Sequence, residues 1–283
     1  MTDRANEGMA EFWNGKGGEN WISREARLEA SLKLFGQRAM AAAAITRGQR
    51  ILDIGFGCGD TSIELAETVG PTGHVHGVDI SATMVAAAEK QAKKAACDNV
   101  SFECADAQTH TLTGACYDRI FSRFGVMFFD DPVGAFKNIH GALKPGGYLA
   151  FISWAPRDSN AWVGLPLQVV AQHLSLPPAP SIDDPGPFSL SEPSRITTLL
   201  GAAGFSHIAV ESVKIPFVLG ADIDEALSFL MHLAPSGGAI NNAEADTPTR
   251  QRIGADMATM LQSHCSEEGV SMKAEALLVT ASR

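Results

Sequence analysis

Cysteine is sparse and wrongly spaced for structural work. The five residues, Cys58, Cys97, Cys104, Cys116 and Cys265, are odd in number and contain no C-x-x-C pair, which excludes a disulfide framework and a zinc knuckle as the basis of the fold. They read as reduced, mostly packed thiols. Positive charge is short as well: 22 Lys and Arg stand against 32 Asp and Glu, a formal net charge of -10. Such a chain has no field for holding a phosphate backbone, so nucleic acid is not expected as a partner. The apolar run "MAAAAI" (Met40 to Ile45) is far too short to span a bilayer, and "MTDRANEGMAEFW" has no basic segment followed by a long apolar one. A cytoplasmic location without membrane contact is therefore expected. His74 and His76 share one face of a strand but lack a third ligand nearby, so no metal is expected either.

What is present is a hydrophobic share of 45% against 19% charged over 283 residues, enough for a large core in one sizeable domain with elaborations. Short apolar runs alternate with helical ones from "RILDIGFG" through "TSIELAETV", "HVHGVDIS" and "ATMVAAAEKQAKKAA" to "YLAFISW", the pattern of an α/β fold whose parallel sheet carries helices on both faces. Residues 1–46 read as an N-terminal helical arm, 47–155 as the core, and 156–190, with "LPPAPSIDDPGP", as a proline-rich cap insertion unable to continue a helix or a central strand. Residues 191–283 complete the sheet and carry a helical lid at about 221–265, with Ile223, Leu227 and Leu230 on one helix face and "PSGGA" as its hinge loop.

The centre of interest is "ILDIGFGCGDTS". A strand ending at Asp53 or Ile54, then Gly55, Gly57 and Gly59, then a helix from about Thr61, puts bare amides and a helix N-terminus at the carboxyl edge of the sheet. The dinucleotide fingerprint G-x-G-x-x-G requires a glycine where Asp60 stands. The pattern D-x-G-x-G-x-G instead resembles the first motif of the class I S-adenosylmethionine-dependent methyltransferases. A carboxylate behind the loop suits a ligand carrying an ammonium and a sulfonium, and the helix terminus suits the ligand's own carboxylate.

Further segments carry the same resemblance in register. Asp79 in "HVHGVDIS" comes twenty residues after Gly59; an acidic side chain there accepts ribose hydroxyls, while Ser81 is the better N-cap for the following helix. "VSFECADAQTH" supplies Asp106 and Ala107, which the resemblance places at the adenine amino group and ring. "YDRIFSRFGVMFFDDP" supplies Ser122 and Arg123 beside the reacting methyl, and "ALKPGGYLAFISW" closes the core. The resemblance also implies cofactor contacts from Ile80, Met84 and, in the arm, Trp21. It implies a doubly wound, Rossmann-like, mostly parallel seven-stranded sheet. The flanks "FWNGKGGENW" and "PGPFSLSEPSRITTLLGAAGF" look like a bacterial small-molecule group related to the ubiquinone and menaquinone C-methyltransferases.

The expected function is methyl transfer from S-adenosylmethionine to a small-molecule acceptor by in-line displacement. Aligning a nucleophile and excluding water suffice for that reaction, so no catalytic triad is required. Arg123 is the candidate for holding an anionic acceptor, Trp13, Trp21 and Trp154 are candidate walls, and His173 and His232 in the cap segments are the candidate bases. The rival readings are a noncatalytic protein that senses S-adenosylmethionine and a nicotinamide-dependent oxidoreductase.

Overall fold

The computed structural model describes residues 6–112 and 114–283; the first five residues of the expected arm lie outside the described residues. Three helices come first, α1 (Glu7–Asn14), α2 (Lys16–Ser23) and α3 (Glu25–Ala42). The alternating core follows as β1 (Arg50–Ile54), α4 (Asp60–Val69), β2 (His74–Asp79), α5 (Ala82–Lys94), β3 (Val100–Cys104), β4 (Tyr117–Arg123), α6 (Pro132–Ala142) and β5 (Leu143–Trp154). Beyond it lie α7 (Ala161–Ala171), α8 (Pro193–Ala202), β6 (Ser206–Gly220), α9 (Ile223–His232), α10 (Pro235–Asn242), α11 (Thr247–Leu261), β7 (Cys265–Ser266) and β8 (Gly269–Ser282).

The strands form one sheet in the order β3-β2-β1-β4-β5-β8-β6. β1 to β5 run parallel, and β8 lies antiparallel between β5 and β6. The expected seven strands are all there, with the short β7 added as a hairpin on β8. β1 is central and covered on both faces, so Ile51, Leu52 and Ile54 are buried without alternation. Helix starts follow their capping residues. Ser81 Oγ accepts from Met84 N at 3.3 Å to open α5, and Asp131 accepts from Gly134 N at 2.9 Å to open α6, with Pro132 in the first turn. The chain leaves β1 toward β2 and β3, then returns to β4 on the other side. This reversal parts the loops at the carboxyl ends of β1 and β4, where an open α/β sheet takes its ligand.

Three local expectations need correction. The proline-rich stretch "LPPAPSIDDPGP" holds neither helix nor strand, but the expected cap insertion also contains α7, ahead of that stretch and with Pro166 in its interior. A proline there costs about 3 kcal/mol, and burial of Trp162, Val163, Val169 and Val170 against β8, α10 and α11 offsets it. "PSGGA" is the start of α10, with Pro235 in its first turn. Gly237 sits there because a Cβ would come within 2.7 Å of the His232 backbone. On α9 the buried face is Ala226, Phe229 and Leu230, with Ile223 and Leu227 at its margins.

Candidate active site

The glycine loop is shaped by close approach. Gly55 and Gly59 have φ of +67° and +97°, and a Cβ on them would lie 2.7 Å from the Gly125 Cα and 2.8 Å from the Ala88 Cβ, so the loop is pressed against the turn after β4 and against α5. Gly57 has φ +60°, and a Cβ there would meet only the Trp21 indole nitrogen at the ordinary contact distance of 3.7 Å. The Gly57 amide donates to Asp79 Oδ2 at 2.9 Å. On the β4 side, Phe124 holds φ 59°, a conformation a bulky residue adopts only where the surroundings over-determine it. Phe124 stacks on Trp154 with centroids 4.3 Å apart.

Three carboxylates stand behind and beside this loop. Asp53 is fully buried; its Oδ2 accepts from Ser62 Oγ at 2.7 Å, the Thr61 side chain also favours its charged form, and its Oδ1 has no partner within hydrogen-bond distance among the described residues. Burial pushes its carboxyl up to about 6, against the opposing pull of the Ser62 bond and of Arg123. Asp79, at the end of β2, accepts from Gly57 N and, at 3.0 Å, from Ser81 N; burial again pushes it up to about 6. Asp106 lies just past β3. Its Oδ1 accepts from Gln108 N at 3.0 Å and Asn6 Nδ2 at 3.3 Å, while its Oδ2 is buried without a partner among the described residues. Ala107 beside it is buried.

The remaining expected cofactor residues divide. Trp21 reaches the loop, its indole nitrogen 3.7 Å from where a Gly57 Cβ would stand, and packs edge-on to Trp13. Met84 is buried with its sulfur 3.8 Å from Cys58 Sγ, and the Ile80 carbonyl accepts from Asn14 Nδ2 at 3.2 Å. The Ser122 hydroxyl donates to the Ile54 carbonyl at 2.8 Å and accepts from Gly125 N at 3.2 Å. Both its roles are therefore spent on the backbone, and it fixes the loop rather than offering a free group.

Arg123 does not reach out as an unpaired cation. Its guanidinium grips Glu29 of α3 by two bonds, 3.1 and 2.6 Å, in the fork geometry that satisfies both partners. Gly36 makes room, since a Cβ there would lie 2.8 Å from Arg123 Cδ. The cleft next to this pair is lined by Trp21, Glu25, Glu29, Gly57, Asp60 and Arg123 over an apolar base that includes Leu28 and Leu32. Burial and then Asp60 raise the Glu25 carboxyl; burial and then Glu29 raise that of Asp60. Glu25 and Glu29 were missed in the sequence, although they are one turn apart on a helix whose neighbouring Leu28 and Leu32 carry the apolar stripe. Asp60 was noticed only as the residue that spoils the dinucleotide pattern.

His173 and His232 are not brought to this cleft. His173 pairs with Asp256 of α11 at 2.7 Å, and His232 Nδ1 meets the Ser228 carbonyl of its own helix at 2.9 Å. Trp154 is buried among Phe35, Phe124 and Trp162, so it is core rather than wall. His74 meets Ser101 at 2.8 Å, and His76 lies between Tyr117 at 2.7 Å and Glu103 at 3.1 Å.

The arm closes this region from above. Asn14 Oδ1 accepts from Ala82 N at 2.9 Å, Ser81 Oγ donates to the Trp13 carbonyl at 2.8 Å, and Trp13 packs edge-on to Phe128. The space left in the cleft is about 30 Å³, room for a water or two.

Residues 45–173 match the family described as "Methyltransferase domain". That match spans just under half of the chain, and over it the chain resembles the methyltransferases. An aklanonic acid methyltransferase of Streptomyces sp. strain C5 is 36% identical over 119 residues, covering 42% of this chain and 54% of that protein. A demethylmenaquinone methyltransferase of Listeria welshimeri is 30% identical over 118 residues, covering 42% and 50%. The chain thus matches about half the length of these curated relatives. Among solved structures, phosphoethanolamine N-methyltransferase 2 of Haemonchus contortus in complex with S-adenosyl-L-methionine shares the fold with a TM-score of 0.54 at 20% identity, over 88% of this chain and 52% of that one. The matched span contains the glycine loop and all three carboxylates, and it excludes helices α1 to α3.

Proposed function

We propose that the protein transfers a methyl group from S-adenosylmethionine to a small-molecule acceptor. One observation carries this reading: at the carboxyl ends of β1 and β3, which flank β2 in the sheet, Asp53 Oδ1 and Asp106 Oδ2 are buried acceptors with no donor among the described residues, and the loop after β1 is rich in glycine. An unserved buried acceptor costs about 1–3 kcal/mol. A ligand that brings a primary amine at one end, an aromatic amine at the other and a positive sulfur between them fits that deficit in kind and in charge. The residues present therefore fit S-adenosylmethionine.

In this assignment Asp53 faces the ammonium end, Asp79 keeps lone pairs for the ribose hydroxyls, and Asp106 with the Ala107 amide meets the adenine edge. When bound, the sulfonium supplies a methyl already activated for in-line displacement. The chain's own residues have to seat the acceptor and keep water out, which Trp21 and the arm do by covering the loop. Arg123 is assigned to tying α3 to β4 rather than to holding an anionic acceptor, because its charge is satisfied by Glu29. Glu25 and Asp60, held toward their protonated forms, replace the two histidines as the groups placed to take a proton from an acceptor.

A nicotinamide dinucleotide fits poorly. Its diphosphate would meet Glu25, Glu29 and Asp60 beside the loop, with the one arginine there already paired. Isothermal calorimetry with S-adenosylmethionine, S-adenosylhomocysteine and NAD tests the cofactor, with binding expected for the first two only. Product analysis over acceptors that begin with demethylmenaquinone and aklanonic acid, the compounds named for the relatives, then tests methyl transfer. Cofactor binding with no product from any acceptor would favour a sensor.

A further inference from the structure

Besides Asp53 Oδ1 and Asp106 Oδ2, a third buried oxygen lacks a partner among the described residues, Asn6 Oδ1. Nothing in the sequence pattern singles out Asn6. It stands immediately before α1 and is 9% exposed. An asparagine at that position ordinarily turns its side-chain oxygen onto the first amides of its helix, a bond worth about 1 kcal/mol. Asn6 forgoes it. Its backbone is left-handed at φ 65° with no side-chain cap, and its carboxamide is sent to Asp106, Nδ2 donating to Oδ1 at 3.3 Å.

The amide orientation follows from the partner. Turned over, it would set an amide oxygen against a carboxylate oxygen. Gln108 N also donates to Asp106 Oδ1, so this oxygen is served twice, while Asp106 Oδ2 and Asn6 Oδ1 are served by nothing. Each orphan is attached to a carbon one bond from the same hydrogen-bonded pair. Two acceptors so placed ask for one group with two hydrogens. A hydroxyl offers one, a ring carbonyl none, and an amino group on an aromatic ring offers two in a plane.

We propose that Asn6 and Asp106 together bind the exocyclic amine of the adenine ring, each unpaired oxygen accepting one of its two hydrogens. The proposal rests on reading the cleft as an adenosyl site and adds to it a specificity-determining residue from the arm. It makes the arm part of base recognition rather than only a cover.

The test is the affinity of the full chain, by calorimetry, for S-adenosylhomocysteine and for its N6-methyl derivative, which keeps one of the two hydrogens. Wild type is expected to prefer the unmethylated ligand by at least about tenfold, since the methyl meets one acceptor and leaves it unserved. Asn6→Ala is expected to bind S-adenosylhomocysteine about five- to tenfold more weakly and the N6-methyl form no worse than wild type, so that the preference falls to about threefold or less. A residue that merely pinned the arm would weaken both ligands equally and keep the ratio. An unchanged ratio in Asn6→Ala, or no preference in wild type, overturns the proposal, and the wild-type ratio needs no variant to fold. No binding of S-adenosylhomocysteine by wild type would instead remove the adenosyl reading itself, and this proposal with it.

Discussion

Asp53 sits in an environment that resists its charge. Its carboxyl is raised from the ordinary 3.8 to about 6 chiefly by burial, so the folded chain holds that proton more tightly than the unfolded chain does. The stability this gives is present at low pH and is lost as pH rises from about 3.8 through about 6. Asp53→Asn should therefore raise the ligand-free stability by roughly 1–3 kcal/mol at pH 8 and by little near pH 4. Urea denaturation at the two pH values checks this; equal gains at both would contradict it. The same substitution should weaken S-adenosylhomocysteine by about tenfold or more, since the neutral amide cannot offset an ammonium. A second consequence is proton release. Near pH 6 both Asp53 and Asp79 are partly protonated by burial, and a ligand that favours their charged forms expels those protons. Calorimetry in buffers of different ionisation heat should register release at pH 6 that fades by pH 8.

Among the elements, the glycine loop and the arm make opposite demands. Gly57→Ala meets no clash, only an ordinary contact with Trp21, at φ +60°, so the left-handed backbone alone penalises it, about 1–2 kcal/mol; Gly55→Ala adds a collision with Gly125 and should cost clearly more. Equal costs in chemical denaturation would show that the approach of Gly125 does not matter. For the arm, Asn14→Ala removes both of its bonds to the segment after β2. Hydrogen exchange should then quicken about five- to tenfold in α1 and α2 and stay unchanged in β1, β4 and β5. The loop was legible in the sequence because D-x-G-x-G-x-G constrains consecutive backbone positions. Asn6, Glu25 and Glu29 were not, because their partners Asp106, Gln91 and Arg123 are distant in the chain, and no local pattern records such a pairing. α7 and α10 were hidden for a related reason: Pro166 and the two glycines of "PSGGA" are locally unfavourable to helix, and tertiary burial overrode them.

For the whole molecule, strand alternation set the α/β architecture, and the positions of Asp53, Asp79 and Asp106 one beyond another along the chain predicted a shared edge of the sheet. The wall of the cleft was not readable, since α2 and α3 of the arm supply Trp21, Glu25 and Glu29 to it, and no repeat specifies their packing. His173 and His232 show the limit: both fall in segments that cover the core, yet each faces a neighbour of its own, Asp256 and Ser228. Selectivity belongs to this scale too. With S-adenosylhomocysteine as reference, NAD should bind at least about a hundredfold more weakly, and Glu25→Gln combined with Asp60→Asn should narrow that gap by easing the field against phosphate; competition calorimetry measures both.

The cleft's small free volume has a kinetic corollary. A passage that admits only a water or two must swing wide before any nucleoside can pass, so the observed association rate, followed through Trp21 emission in a stopped-flow mixer, should level off with rising ligand concentration instead of climbing in proportion to it. The ceiling is then the frequency with which the threshold is uncovered, a clock kept by the polypeptide and indifferent to which nucleoside is waiting outside.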